Sequence, residues 1–86
     1  MIVELASASN PDYEDESERF KKLPTTYKVV SSLREASQAC RKYIARYDLG
    51  GGNFIGGEVY DDTGEQIAYV SYNGRVWDLE GKEIRV

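Results

Sequence analysis

A chain of 86 residues has room for one domain with one modest core, because at this size folding buries only about 60–65% of the unfolded surface. Its composition, 41% hydrophobic and 30% charged, excludes a disordered chain, and no apolar run reaches the roughly 20 residues that span a bilayer. The net charge of −4 is segregated: six acids and no base in residues 1–18, eight bases against Glu35 in 19–47, eight acids against three bases in 48–86.

The first 25 residues carry two readings. Asn10-Pro11-Asp12 reads as an N-cap, an N1 proline and an acidic first turn, and Arg19, Lys21 and Lys22 would close a short helix over 11–22. Against this, only Tyr13 and Phe20 offer apolar contacts, and a short helix without tertiary support is marginal. An acidic arm is the equal alternative. Thr26–Val30 then reads as a strand.

The clearest element is a helix over Leu33–Tyr47. Ser32 and Glu35 have capping-box spacing. Leu33, Ala36, Cys40, Tyr43, Ile44 and Tyr47 form an apolar stripe, with Arg34, Gln38, Arg41, Lys42 and Arg46 facing mostly away from it. Gly50 is placed to cap the C-terminus in the left-handed conformation. The run Gly50–Gly57 turns the chain, with Phe54 and Ile55 read as a core plug, the favoured reading, or as an exposed anchor.

Four strands follow at about 57–61, 65–72, 75–79 and 82–86. Asp61–Glu65 fits a three-residue hairpin loop with Gly64 left-handed. Asn73-Gly74 fits a two-residue type I′ turn with positive φ at both residues, and Glu80-Gly81 a third turn. That register puts Ala68, Val70, Tyr72, Trp77, Leu79 and Ile84 on one face, with Trp77 touching the helix. Val59, Ile67, Tyr69, Ser71 and Val76 fall on the other. The expected fold is α+β: one helix on an antiparallel meander of three to five strands. The second face would be an apolar strip, covered partly by Ile2, Val3 and Leu5 and otherwise by a homodimer or partner.

Catalytic signals are weak. Without histidine the commonest general base near neutral pH is missing. Cys40, on the apolar helix face, reads as a buried, inert thiol. One cysteine and no histidine disfavour zinc, and the acids from Asp12 onward fail the calcium-loop pattern, with Ser17 where the glycine belongs and Leu23 where the glutamate belongs. The glycines follow a helix rather than precede one, so they do not form a phosphate cradle. No enzyme, cofactor or metal is expected. A lone cysteine argues for a reducing compartment, and Met1–Leu5 lacks the basic start of a signal peptide; together they point to the cytoplasm.

The block from Leu33 to Trp77 covers about half the chain. Its segments Tyr47-Asp48-Leu49-Gly50, Gly56-Gly57 and Ser71-Tyr72-Asn73-Gly74-Arg75-Val76-Trp77 resemble small uncharacterised proteins carried by phages and other mobile elements. The resemblance implies a class, non-enzymatic inhibitors of host defence that include anti-CRISPR proteins and occupy a partner's surface. It carries over no functional residues, and places the protein in the cytoplasm of a bacterial host.

Three functions compete. The leading one is a protein-binding inhibitor that competes for a nucleic-acid-binding host surface through Asp12, Glu14, Asp15, Glu16, Glu58, Asp61 and Asp62, and through the strip of Val59, Ile67, Tyr69 and Val76. Second comes direct nucleic-acid binding by the basic helix face of Arg34, Arg41, Lys42 and Arg46, helped by Tyr27, Lys28 and Arg75. The acidic pI near 4.8 ranks it below the first. Third is a structural homodimer. No membrane contact is expected.

Overall fold

The computed structural model describes residues 1–7 and 25–86. Among the described residues one helix packs on an open, six-stranded antiparallel sheet, giving the α+β class with more strands than the meander alone supplies. In chain order these are β1 (Ile2–Leu5), β2 (Thr26–Val29), α1 (Leu33–Arg46), β3 (Glu58–Tyr60), β4 (Gln66–Val70), β5 (Val76–Trp77) and β6 (Glu83–Ile84). The spatial order is β2-β1-β3-β4-β5-β6. The helix expected at 11–22, like the acids Asp12, Glu14, Asp15 and Glu16, lies outside the described residues.

Strand β1 corrects the expected role of the N-terminus. Ile2–Leu5 does not cover the sheet; it is inserted into it, paired with β2 on one side and β3 on the other. Val3 is fully buried and pairs with Val59. A four-residue run with alternating apolar residues is too short for its pairing to be read from the chain itself.

Helix α1 starts as its sequence specifies. Ser32 Oγ accepts from Glu35 N at 3.1 Å. The Glu35 carboxylate reaches one residue further back than a capping box requires and accepts from Ser31 Oγ at 2.6 Å. That bond comes first among those that lower its pKa. The helix ends in a Schellman arrangement: Leu49 N donates to Ile44 O and Asp48 N to Ala45 O. The left-handed residue is Asp48, at φ 52°, not Gly50, whose N–H donates instead to Asn53 Oδ1. Leu49 is thereby drawn into the core.

Four of the five buried helix residues, Ala36, Ser37, Ala39 and Cys40, are small, and Tyr43 is the exception, so α1 packs against the valines of the sheet mainly through small side chains. The core joins Val3, Val59, Ala68, Val70 and Val76 to Ala36, Cys40, Tyr43 and Phe54. Phe54 is buried as expected, but its neighbour Ile55 is 58% exposed.

All three hairpin turns share one geometry. Asp61, Ser71 and Asp78 each donate N–H to the carbonyl four residues on and accept from a glycine three residues on. Gly64, Gly74 and Gly81 have φ of 87°, 84° and 87°. These are three-residue loops ending in a left-handed glycine. For Asp61–Glu65 this agrees with the sequence reading. For the other two it corrects the two-residue turns, and Asn73 does not have positive φ. An oxygen from the first or third residue holds each loop: Asp61 Oδ1 accepts from Thr63 N and Glu65 N, Asn73 Oδ1 from Arg75 N, and Asp78 Oδ1 from Glu80 N and Lys82 N.

One extra loop residue slips the register by one and reverses the faces of β5. Val76 pairs with Val70 and is buried, while Trp77 pairs with Tyr69 on the side away from α1. The second slip cancels the first, so Ile84 pairs with Val76 and stays toward the core. Val59 is also buried rather than on the far strip. A bulge lets it pair with Ala68 while Tyr60 pairs with Gln66, which leaves Ile67 as the extra residue.

Candidate functional site

The side of the sheet away from α1 carries the exposed half of the strand alternation. Tyr27, Val29, Ile67 and Tyr69 are exposed there, and Trp77 is half-buried. Tyr69 and Trp77 stack with centroids 6.5 Å apart and planes 19° apart. Trp77 Nε1 donates to Ser71 Oγ at 3.0 Å, which fixes the indole beside Tyr69. Among the described residues no element lies over this face.

Two carboxylates stand among these rings. Glu4 pairs with Tyr27, whose hydroxyl donates to Glu4 Oε2 at 3.4 Å. Glu58 pairs with Tyr69 and accepts from the Tyr60 hydroxyl. That bond, with burial and the nearby Glu58 and Glu4 charges behind it, pushes the Tyr60 phenol up to about 12. The face therefore combines flat aromatic area with fixed negative charge.

The structure thus separates the predicted site residues. Of the apolar strip, Ile67 and Tyr69 lie on this open face, whereas Val59 and Val76 are core. Of the acids, Glu58 belongs to it. Asp61 is occupied in its own turn, where the Thr63 hydroxyl and backbone N–H groups hold its carboxyl below the usual range. Asp62 lies at the turn tip, 3.1 Å from the Met1 ammonium. Glu4 and Tyr60 carry no sequence-based assignment, Tyr27 is assigned there to the basic surface and Trp77 to the core, and all four lie on this open face. The signal for Glu4, Tyr27 and Tyr60 is the alternation of β1, β2 and β3, usable only once β1 is known to pair.

The basic residues divide between the two flanks of α1. Arg34 and Arg41 line a cleft of about 570 Å³ against the β4–β5 turn and β6, together with Arg75 and Arg85. Lys42 and Arg46 line a second groove of about 420 Å³ against β1 and β2, together with Lys28 and Tyr47. Arg46 lies 5.4 Å from the Tyr47 ring centroid. The helix side is basic and the open sheet face is acidic and aromatic.

The chain matches no protein-family model, no curated protein and no solved structure. Its chemistry rests on the residues themselves. Cys40 is fully buried, and burial pushes its thiol from 9.0 to about 12. Ellman's reagent should leave it untouched in the native protein and titrate one thiol in urea. Because the folded pKa is the higher one, Cys40 contributes no loss of stability below pH 9, and its contribution falls as pH rises from 9.0 toward about 12. Rapid reaction of the native thiol would contradict this burial. Among the described residues no group of three His, Cys, Asp or Glu side chains could hold a metal ion, and no helix is long and apolar enough to cross a membrane.

Proposed function

We propose that this protein is a non-enzymatic protein-binding module that covers a cationic surface on its partner with the open face of its sheet. Its class would be the inhibitors of host defence carried by mobile elements, anti-CRISPR proteins among them, acting in the bacterial cytoplasm. The observation that supports the reading is the combination of Glu4 and Glu58 with the exposed Tyr27 and Tyr69 and the Tyr69–Trp77 stack. Tyrosine and tryptophan are enriched where proteins bind one another. Carboxylates beside aromatic faces suit lysine and arginine, through charge-assisted hydrogen bonds and cation–π contact. A host surface that normally holds nucleic acid has that chemistry. The inert Cys40 and the lack of histidine weigh against catalysis.

The test is a quantitative pulldown from host lysate with the wild-type chain, a Glu4→Lys/Glu58→Lys variant and Tyr69→Glu, each checked for native circular dichroism. A specific partner should be depleted at least about tenfold by either change, as expected when charged and aromatic anchors of an interface are lost. Retention of that partner by both variants removes the face from the mechanism. A second reading, the homodimer, uses the same exposed rings. It predicts a concentration-dependent mass in light scattering that Tyr69→Glu abolishes.

A further inference from the structure

The basic cleft beside α1 is a separate surface. Its four arginines come from three places in the chain: Arg34 and Arg41 from α1, Arg75 from the β4–β5 turn, and Arg85 from the residues after β6. Seven residues of helix set Arg34 and Arg41 about 10 Å apart along one face. Among the described residues none of the four is ion-paired, and Glu83 is the only acid in the lining. Four arginines lining one cleft concentrate positive charge there, which an anion neutralises.

The floor of the cleft is tied to the helix by a buried hydrogen bond: Ser37 Oγ of α1 donates to Gly74 O of the turn at 2.6 Å. A Cβ on Gly74 would lie 2.1 Å from Arg41 Nε, so the guanidinium lies along bare turn backbone and depends on that residue being glycine. Among the described residues no aromatic ring lines the cleft, so none of them can stack a base there, the usual way single strands are held.

From this the geometry points to a site for a chain of phosphates, bound through its charges by Arg34, Arg41, Arg75 and Arg85. Planar guanidinium groups suit phosphate oxygens better than any other side chain. The chain could be free, as inorganic polyphosphate or the tail of a nucleoside triphosphate, or it could be the backbone of a nucleic acid. With a net charge of −4, the protein as a whole repels all of these, so any attraction must be local.

The experiment is calorimetric titration of the full chain with sodium tripolyphosphate, ATP and a ten-residue oligothymidylate at low salt. At least one should bind, with affinity falling as salt rises. Tripolyphosphate and ATP binding alike identifies a free phosphate chain; preference for the oligonucleotide identifies a backbone. In either case Arg34→Gln/Arg41→Gln should weaken binding at least about tenfold, as for lost hydrogen bonds to charged groups. Arg75→Gln/Arg85→Gln should do the same from the opposite wall. Lys42→Gln/Arg46→Gln, in the other groove, should change affinity less than about twofold. The inference is overturned if none of the three ligands binds, or if the Lys42/Arg46 variant weakens binding as much as the Arg34/Arg41 variant. The second outcome would mean diffuse attraction to the helix.

Discussion

Gly57→Ala should destabilise the protein by about 3–5 kcal/mol, combining strain at a disallowed backbone conformation with the loss of two hydrogen bonds. Gly57 links three strands just before β3. Its N–H donates to Glu4 O of β1 at 2.7 Å, and its carbonyl accepts from Val70 N of β4 at 2.7 Å. Its φ is 104°, and a Cβ would fall 2.1 Å from Val70 O. A backbone carbonyl held in a sheet cannot swing aside as a long side chain can. Gly64→Ala is the internal control: it shares the positive φ but has nothing within 4 Å, so it should cost only about 1–2 kcal/mol. Urea titrations of the two variants measure the difference. Equal midpoints would mean that β1 and β4 do not approach each other through Gly57.

The elements legible in the sequence were those whose signals are local. Ser32, Glu35 and the apolar stripe of α1 announce a helix within fifteen residues of chain, and the helix is there. The glycines at 64, 74 and 81 announce turns, and the turns are there. What failed needed one more residue of precision. Asn73-Gly74 satisfies a two-residue loop and a three-residue loop equally well on paper. The longer loop wins because Ser71 N–H finds Arg75 O while Asn73 Oδ1 caps Arg75 N–H.

The candidate site suffered most from that ambiguity. Faces of a sheet alternate residue by residue, so an undetected loop residue or bulge sends a whole strand to the wrong side. Val59 moved by the bulge at Ile67, and Val76 by the longer turn. Tyr69 and Ile67 stayed, because β4 keeps its own alternation whatever its neighbours do. Glu4 was invisible for another reason: β1 pairs with β3 across more than fifty residues of chain, and nothing local marks such a pairing. The basic residues were legible as a group, but their division between two grooves depends on which strands flank α1.

The register of β5 sets up the other large effect. Val76→Asp should strongly destabilise the chain, because an unpaired carboxylate would replace a side chain that is 1% exposed. The cost is about 4 kcal/mol or more, against a total stability of roughly 5–15 kcal/mol for a domain of this kind. Trp77→Ala, one residue on, should cost only about 1–2 kcal/mol: its stack on Tyr69 and one hydrogen bond to Ser71. The larger side chain thus matters less, which inverts what size and hydrophobicity suggest. Circular dichroism during urea titration measures both. As the chain's one tryptophan, Trp77 gives a second readout in the wild type, where a half-buried indole should be quenched by acrylamide before any denaturant is added. A Trp77→Ala loss above about 3 kcal/mol, the range for a fully buried aromatic, together with a well-folded Val76→Asp, would restore the two-residue turn. It would place the indole under α1 and remove the aromatic stack from the proposed binding face.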